Sequence, residues 1–350
     1  MAAAATKSVS STIRLFHLTF YKAGSQWVRD ILADARLVES VGLTLAASGI
    51  DLQSCHWPTI AQGQLASPLY STGAGKWQLV STADDRAFVV IRDPRDIVVS
   101  LVYSVSLSHA PTPITLLLRD PLATATERNK LQIGMFLLAQ WSEYLRSWKG
   151  AADFENVHLT RYENLIADLP GELARLCDSL HCHAPQSALD AIARDHSFAA
   201  RAGRQPGDEN PFSHRRKGIA GDWRNHFNRE TAHLFEDIFP GLLTDLGYES
   251  ATTWWQSVPE SIPSASMEPE QERAKLLAVL TEYETELAVT RIAAEERLRE
   301  VLILHDAIAE QKRSIEALTA LLAAADEVKH SFAWRYGYRP LRLLSSLIRG

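Results

Sequence analysis

Cysteine is scarce in this sequence of 350 residues. Its three cysteines, Cys55, Cys177 and Cys182, form neither an even set nor a Cys-x-x-Cys pair. This spacing excludes a disulfide scaffold and suits a reducing compartment. Cys182 lies between His181 and His183, but no second pair of ligands stands at a spacing typical of zinc, so we expect no metal site.

The sequence also lacks an excess of basic charge and any long apolar run. Its formal net charge is −6, so no overall field attracts nucleic acid or an anionic membrane, and phosphate binding would need local basic clusters. No apolar stretch approaches the roughly 20 residues that span a bilayer. Residues 1–11 are rich in alanine and serine without an apolar core, unlike a secretory signal. We therefore predict a cytoplasmic protein that binds no nucleic acid.

Three apolar stretches followed by helical patterns predict an α/β fold. Ile13–Phe20, Phe88–Ile91 and Val157–Thr160 are typical of strands. The second is apolar throughout, as expected of a parallel strand that is buried on both faces. Repeated strand–loop–helix units predict a P-loop-like domain of three layers around a central parallel sheet, with its ligand at the C-terminal ends of the strands.

Apolar periodicity predicts three further helices. They are Leu131–Trp148, a segment that follows the third strand and runs through Cys177, and Arg229–Leu246, which Gly247 would end.

The chain divides into four predicted segments. Residues 11–250 hold the α/β domain, and the Ser- and Pro-rich residues 251–269 form a linker. Residues 270–329 contain neither proline nor glycine and carry apolar residues at a strict seven-residue step, which predicts a long helix in a coiled coil. The positions of this step are Leu280, Leu287, Ala294, Val301, Ile308, Ile315 and Leu322. Residues 330–350 form a basic, aromatic tail without acidic residues.

The residues between the first predicted strand and its helix form a candidate anion-binding loop. Lys22 supplies a positive charge, and Gly24 lets the main chain approach a ligand closely. The amides of Ser25, Gln26 and Trp27 would open the helix, where unpaired N–H groups and the helix dipole attract an anion. The loop is not a Walker A motif, because its lysine precedes the glycine. An ordinary strand–helix turn is the alternative.

Two further basic clusters could face the same ligand. Arg92 ends the second predicted strand, and Ser100 lies about two turns into the next helix, so both can reach one crevice. Arg216 and Lys217 precede Gly218 in a polar stretch, as suits a phosphate clamp on a loop. The alternatives are neutralisation by neighbouring acidic residues on a surface loop and a solvated basic turn.

Three segments resemble motifs of the sulfotransferases that use 3′-phosphoadenosine 5′-phosphosulfate (PAPS). Residues 22–27, Lys-Ala-Gly-Ser-Gln-Trp, resemble the family's Lys-Ser-Gly-Thr-Thr-Trp loop. Residues 91–100, Ile-Arg-Asp-Pro-Arg-Asp-Ile-Val-Val-Ser, are similar to its 3′-phosphate segment. Residues 216–223 resemble its Arg-Lys-Gly and Gly-Asp-Trp element, and Tyr162 with Glu163 looks like its Tyr-Glu pair. Three such segments in the family's order are a specific signal.

The resemblance implies a role for each of these residues, with PAPS as co-substrate and adenosine 3′,5′-bisphosphate (PAP) as product. The 5′-phosphosulfate would be held by Lys22 and the amides that follow it, namely those of Ala23, Gly24, Ser25, Gln26 and Trp27. The adenine would stack on Trp27 and contact Tyr162. The 3′-phosphate would be held by Arg92, Ser100 and the clamp, that is Phe212, Arg216, Lys217 and Gly218. Two extra residues, His214 and Arg215, precede Arg216 in this clamp.

The catalytic residues follow from the same resemblance. Sulfuryl transfer resembles phosphoryl transfer, so Lys22 would neutralise the leaving phosphate, and no metal would be needed. The family's base is usually a histidine between the first two motifs, where His56 is the only one. A neutral imidazole with a pKa of about 6.5 suits a general base for a hydroxyl. His56 is the first candidate, and His109 or a carboxylate is the rival.

The acceptor and partners are predicted from the C-terminal segments. The coiled coil and tail resemble appendages of bacterial enzymes that build or modify surface polysaccharides, which implies a glycan or lipid-linked hydroxyl as acceptor. The coiled coil favours a homo-oligomer, and the tail favours peripheral contact with the inner face of the membrane. Packing on the globular domain is the alternative for both. Two other functions are weighed: a P-loop kinase and an inactive nucleotide-binding scaffold.

Overall fold

The computed structural model describes residues 13–46, 57–70, 72–109 and 112–262, together with 308, 310–320 and 322. The strands are β1 Arg14–Thr19, β2 Thr44–Leu45, β3 Gln64–Tyr70, β4 Asp85–Ile91 and β5 Val157–Arg161. The first seven α-helices are α1 Ser25–Leu32, α2 Ala35–Val41, α3 Ala74–Val80, α4 Pro94–Tyr103, α5 Pro113–Thr124, α6 Glu127–Ala139 and α7 Ser142–Arg146. The next six are α8 Tyr162–Ala167, α9 Leu169–Ser179, α10 Gln186–Asp195, α11 Phe198–Ala202, α12 Arg229–Ile238 and α13 Leu242–Asp245. A π-helix spans Ser104–Ser108, and 3₁₀ turns span Ala151–Asp153, Asp222–Asn225 and Trp254–Ser257.

The strands form a parallel sheet in the order β2-β3-β1-β4-β5. Successive side chains of a strand point to opposite faces, and both faces are apolar here. Phe16 and Val89 belong to one buried cluster, whereas Leu15 and Phe88 belong to the other. Helices cover each face, so the domain has the three predicted layers around a parallel sheet.

The topology places a crevice at the C-terminal edge of the sheet. From β1 the chain first builds β2 and β3 on one side, and then crosses to build β4 and β5 on the other. The loops that leave neighbouring strands there diverge, which is where open α/β sheets bind ligands.

Local capping fixes the helices at this edge. Gly24 is the N-cap of α1 and has φ 79°. Asp93 is the N-cap of α4, its carboxylate accepts a 2.9 Å hydrogen bond from the amide of Arg95, and Pro94 follows at the first helical position. Both helices therefore begin directly after a central strand, as the sequence predicts.

The three long helices predicted from periodicity are each broken into two. Leu131–Trp148 spans α6 and α7, which are separated at Trp141. Asp168 ends α8 and caps α9 by accepting a 3.0 Å hydrogen bond from the Gly171 amide. Arg229–Leu246 spans α12 and α13, because Pro240 and Gly241 interrupt it. Apolar periodicity continues across such breaks, so it does not reveal them.

The predicted linker begins too early. Trp254 is buried, packs edge-to-face against Trp223, and donates a 2.8 Å hydrogen bond from Nε1 to the carboxylate of Glu236. Val258 is also buried in the same core. Residues 251–258 are therefore part of the globular domain, although their serine and proline content is typical of a linker. Residues 263–269 lie outside the described residues.

The C-terminal part of the chain forms a second compact unit, residues 264–350. Its described residues 310–320 are helical and exposed. Most of the predicted coiled coil and all of residues 330–350 lie outside the described residues, so both stay predictions. Among the residues described, no helix has the length and apolar character needed to cross a membrane.

Candidate active site

The loop after β1 has the conformation of an anion cradle. Lys22 and Gly24 both have positive φ, 67° and 79°. A Cβ on Gly24 would lie 2.7 Å from the Tyr162 ring, so both the backbone angle and the neighbouring ring require glycine here. Ser25 begins α1, and the first amides of the helix face the ligand-binding edge of the sheet as predicted.

An aromatic group that the sequence did not predict lies beside this loop. The hydroxyl of Tyr70, the last residue of β3, lies 2.8 Å from the Ser25 hydroxyl and accepts a 3.2 Å hydrogen bond from Gln26. The rings of Tyr21 and Tyr70 stack at 4.4 Å, and Trp141 lies 4.8 Å from Tyr21. Ser25 and Gln26 are thus oriented by a side chain from the neighbouring strand.

Arg92 joins the end of β4 to the loop after β1. Its Nη1 donates a 2.8 Å hydrogen bond to the main-chain oxygen of Lys22, and its guanidinium lies 4.6 Å from the centre of the Tyr162 ring. The side chain is buried, and its Nε has no hydrogen-bond partner. A buried cationic donor without a partner fits a site for an anion.

Three cations meet around Lys22. Burial, Arg92 and Arg216 together lower the pKa of Lys22 to about 8. Like charges held this close repel one another unless an anion lies between them. The group therefore suits a phosphate or sulfate ligand.

The clamp residues lie at the same edge but are paired with carboxylates. Arg216 forms ion pairs with Glu209 and Asp222, and the Lys217 ammonium lies 2.7 Å from Asp222. The Arg216 guanidinium also lies 4.4 Å from the centre of the Tyr103 ring on α4. Ser100 is half-buried one turn before Tyr103, so it occupies the same side of α4 as the clamp.

Asp222 is the buried partner of this clamp. Burial alone would raise the pKa of its carboxyl, but hydrogen bonds from His226, Lys217 and Arg216 outweigh it and hold that pKa well below the usual range. The ionised carboxylate therefore keeps the two cationic side chains at the site.

Gly218 must also be glycine. Its φ is 66°, and a Cβ there would lie 2.1 Å from the ring of Phe198. The main chain at the end of the clamp thus packs closely against Phe198, and the binding role of the Gly218 amide stays a prediction.

The acidic and basic residues next to Arg92 have a structural role. The Asp96 carboxylate accepts hydrogen bonds of 2.7 Å and 2.8 Å from the amides of Gly221 and Trp223. Arg95 is buried in an ion pair of 2.7 Å with Asp93 and stacks on Trp223 at 3.8 Å. These acidic and basic residues do pair with one another, as the alternative held, but the network is buried and not on a surface loop.

The predicted adenine site has two aromatic walls. The rings of Trp27 and Tyr162 are nearly perpendicular with centroids 5.8 Å apart, and Trp27 Nε1 donates a 2.7 Å hydrogen bond to the main-chain oxygen of His196. Glu163 braces Tyr162 from the next position by accepting a 2.9 Å hydrogen bond from the Asp93 amide. Phe212 is half-buried on the clamp loop.

Of the two histidines predicted as candidate general bases, the structure describes His109 but not His56. His56 lies outside the described residues, so its role stays a prediction. His109 follows the π-helix, and its ring lies 6.4 Å from that of His214 on the clamp loop. The sequence marks His214 as an extra clamp residue, and its side chain is exposed. Within the part of the chain that the structure describes, no cluster of three or more histidine, cysteine or acidic residues could hold a metal ion.

The fold and the site together define a class of protein. A three-layer α/β domain that gathers Lys22, Arg92 and Arg216 beyond the ends of its parallel strands has the features of a domain that binds phosphate or sulfate. Residues 78–247 match the family described as the sulfotransferase domain, a range that includes Arg92 and the clamp but not Lys22.

Sulfotransferases are also among the known proteins to which this chain is similar. Sulfotransferase 2A2 of Mus musculus is 23% identical over 247 residues, which cover 64% of this chain and 82% of the relative. The 3-alpha-hydroxysteroid sulfotransferase of Cavia porcellus is 23% identical over 257 residues, 68% of this chain and 86% of the relative. A crystal structure of mouse sulfotransferase SULT7A1 complexed with PAP aligns with a TM-score of 0.48 and 17% identity, over 69% of this chain and 91% of that one. The family match and these relatives therefore support the predicted family, the PAPS-dependent sulfotransferases.

Proposed function

We propose that this sulfotransferase moves the sulfuryl group of PAPS to an acceptor hydroxyl, using Lys22 at the reacting end of the donor and the clamp at its 3′-phosphate. The observation that carries the proposal is the group of cations around Lys22, whose pKa burial, Arg92 and Arg216 lower to about 8. A donor with both a 5′-phosphosulfate and a 3′-phosphate carries the negative charges that these cations would bind.

Lys22 acts on the leaving group. As the bond from sulfur to the bridging oxygen breaks, negative charge develops on the 5′-phosphate, and a nearby ammonium stabilises that charge more than it stabilises the ground state. The amides from Ala23 to Trp27, at the start of α1, contribute donors and the helix dipole.

The 3′-phosphate binds between α4 and the clamp. Arg92, with its unpartnered Nε, and the half-buried Ser100 approach it from one side, while Arg216, Lys217 and the Gly218 amide approach it from the other. The phosphate takes the place that Glu209 holds beside Arg216, whereas the buried Asp222 remains as the anchor. The adenine lies between Trp27 and Tyr162.

The acceptor that we propose is a hydroxyl of a glycan or glycolipid. The stacked pair Tyr21 and Tyr70 supports this assignment, because aromatic faces bind the apolar face of a sugar ring or a lipid beside the phosphosulfate loop. A hydroxysteroid is the second candidate, because one relative is named for that substrate.

The C-terminal segments complete the proposal. The apolar step from Leu280 to Leu322 forms a coiled coil that joins copies of the chain, and the tail places the domain at the inner face of the membrane, beside a lipid-linked acceptor.

Two measurements test the proposed function. PAP should raise the unfolding temperature, whereas ATP with Mg²⁺ should not, because the clamp recognises a 3′-phosphate. Labelled sulfate should then pass from PAPS to one member of a panel of glycans, glycolipids and hydroxysteroids. Stabilisation by ATP with Mg²⁺ alone would favour a kinase, and binding of PAP without any transfer or release of sulfate would favour an inactive scaffold.

A further inference from the structure

The order of the strands gives the proposed donor a direction across the sheet. The residues assigned to the 3′-phosphate and the adenine lie on the side of β4 and β5, since Arg92 follows β4 and Tyr162 follows β5. The loop assigned to the 5′-phosphate follows β1, the next strand in the sheet. A donor bound in this way points its sulfuryl group away from β4 and toward β3, whose last residue is Tyr70.

Tyr70 lies directly beside this loop. It pairs with Thr19, the last residue of β1, in the parallel register of the two strands. Its hydroxyl lies 2.8 Å from the hydroxyl of Ser25 and accepts a 3.2 Å hydrogen bond from the side-chain amide of Gln26. Ser25 and Gln26 are the first two residues of α1. The phenol is therefore in contact with the residues that would bind the phosphosulfate.

The two hydroxyls keep one hydrogen for a ligand. Each has a single hydrogen to donate, and the contact between Ser25 and Tyr70 uses one of the two. The bond from Gln26 occupies a lone pair of the phenolic oxygen and uses no hydroxyl hydrogen. Among the residues that the structure describes, neither hydroxyl makes a further hydrogen bond. One O–H group thus remains available beside the loop, whichever hydroxyl donates to the other.

Tyr70 is the better donor of the two. A phenol is more acidic than a serine hydroxyl, so an anionic ligand attracts its hydrogen more strongly. When Ser25 and Gln26 both donate to the phenolic oxygen, they polarise its O–H bond further.

The ring of Tyr70 is held in place by other aromatic rings. It stacks on Tyr21 with centroids 4.4 Å apart and planes 7° apart, and Trp141 packs against Tyr21 at 4.8 Å. Tyr70 is half-buried, so its side chain stays partly accessible while the stack restricts its rotation. Because the hydroxyl is positioned before a ligand binds, its hydrogen bond to that ligand costs little side-chain entropy.

We propose that the Tyr70 hydroxyl donates a hydrogen bond to an outer oxygen of the sulfuryl group and holds this group in line for transfer. The inference rests on the proposed function. Lys22 and the loop amides serve the 5′-phosphate, so the outer sulfuryl oxygens, which carry charge in the transition state, need a donor of their own. This hydrogen bond moves no proton and forms no covalent bond.

The test compares Tyr70→Phe, which removes only the hydroxyl, with Ser25→Ala and with the control Tyr144→Phe at an exposed tyrosine of α7. Titration measures the affinities for PAPS and PAP, which differ only in the sulfuryl group. The ratio of the two affinities reports contacts with that group, whereas damage to the loop lowers both affinities alike. The kcat/KM of transfer to the best acceptor of the panel is measured alongside.

We expect Tyr70→Phe to lower the PAPS-to-PAP affinity ratio by about 10-fold and kcat/KM by about 10- to 100-fold, because a hydrogen bond to a charged group is lost. PAP affinity should stay within about two-fold of the wild type. Ser25→Ala should lower the affinity ratio less, since Tyr70 keeps its hydrogen. Tyr144→Phe should match the wild type.

Three results for Tyr70→Phe would overturn the proposal. An unchanged affinity ratio with unchanged kcat/KM would show that the hydroxyl serves no part of the donor. Equal losses of PAPS and PAP affinity would make Tyr70 a support of the loop only. Slower transfer with an unchanged ratio would assign the hydroxyl to the acceptor. If the wild type binds PAPS but transfers no sulfuryl group, the proposed function fails, while the affinity ratio still tests this contact.

Discussion

Nη1 of Arg92 donates a 2.8 Å hydrogen bond to the main-chain oxygen of Lys22. The positive charge of Arg92 also lowers the pKa of the Lys22 ammonium. One arginine therefore shapes the loop after β1 and adds its charge to the site. Substituting Arg92 should disturb both ends of the donor, whereas substituting Lys217 should disturb only the 3′-phosphate.

Lys217→Ala should weaken binding of PAP by about 10- to 100-fold, because a charge-assisted hydrogen bond contributes on the order of 1.5–3 kcal/mol. Binding of adenosine 5′-phosphosulfate, which lacks the 3′-phosphate, should hardly change. Arg92→Ala should weaken the binding of both ligands, and it should weaken that of PAP more strongly. Lys76→Ala, at an exposed lysine of α3, is the control. Titration calorimetry measures the affinities, and equal losses for both ligands in Lys217→Ala would contradict the assignment.

Lys22→Met should abolish most turnover while leaving the protein folded. The substitution removes one of three mutually repelling cations, so the free energy of unfolding without ligand should stay equal or rise. In the wild type the pKa of Lys22 is about 8, below that of a lysine in the unfolded chain. Between about pH 8 and 10, the folded state therefore binds fewer protons than the unfolded state. The contribution of Lys22 to the free energy of unfolding accordingly rises with pH over this range. Turnover of the wild type should fall over the same pH range. Lys22→Arg should shift this fall in turnover to higher pH.

Gly24→Ala should destabilise the domain by about 2 kcal/mol, because a left-handed conformation costs a non-glycine residue roughly 1–2 kcal/mol and the new Cβ meets the Tyr162 ring. PAP affinity should fall as well, since Tyr162 forms a wall of the adenine site. Gly75→Ala is a matched control: that glycine lies in helix α3, and a Cβ there meets nothing within 4 Å. Urea unfolding of both variants provides the comparison. Equal free energies of unfolding for the two variants would show that the loop relaxes around the new methyl group, and they would contradict the prediction.

Glu209→Gln should tighten PAP binding several-fold. Glu209 is partly exposed and forms an ion pair with Arg216, so it competes with the incoming phosphate. The neutral side-chain amide of glutamine competes less well. The gain should shrink at high salt, because a partly exposed ion pair is screened. Asp222→Asn should have the opposite effect, since the buried carboxylate holds Arg216 and Lys217 in place. Weaker binding in Glu209→Gln would mean that this carboxylate organises the clamp.

Truncation after Met267 should leave a folded monomer that binds PAP as well as the full chain does. The core that contains Trp254 and Val258 is complete before this point. Oligomerisation and any attachment to anionic liposomes should disappear together with the C-terminal segments. Sedimentation of both proteins, with and without liposomes, measures these properties. A full-length chain that is monomeric and ignores liposomes would contradict both roles of the C-terminal segments.

The sequence predicted those parts of the fold that depend on local signals. Phe88–Ile91 is apolar throughout, and the structure places it inside the sheet as part of β4. Gly24 and Asp93 begin α1 and α4 where strand, loop and helix patterns meet. The predicted phosphosulfate loop, Arg92 and the clamp come from short contiguous motifs, and the structure brings Lys22, Arg92 and Arg216 together at the C-terminal edge of the sheet.

Features that depend on distant contacts could not be predicted. No strand was predicted for the segment of β3, which contains Pro68, so Tyr70, whose hydroxyl contacts Ser25, was not recognised. Trp254 lies among serines and prolines, yet it completes a core through Trp223.

Asp96 has a consequence for the energetics of ligand capture. Its carboxylate fastens the amides of Gly221 and Trp223, which follow it by 125 and 127 positions along the chain. Closing a loop of that length lowers conformational entropy, and here that loss occurs when the domain folds. The two halves of the proposed 3′-phosphate site are consequently assembled before any nucleotide arrives. Binding energy that would otherwise order the clamp remains available for orienting the sulfuryl group.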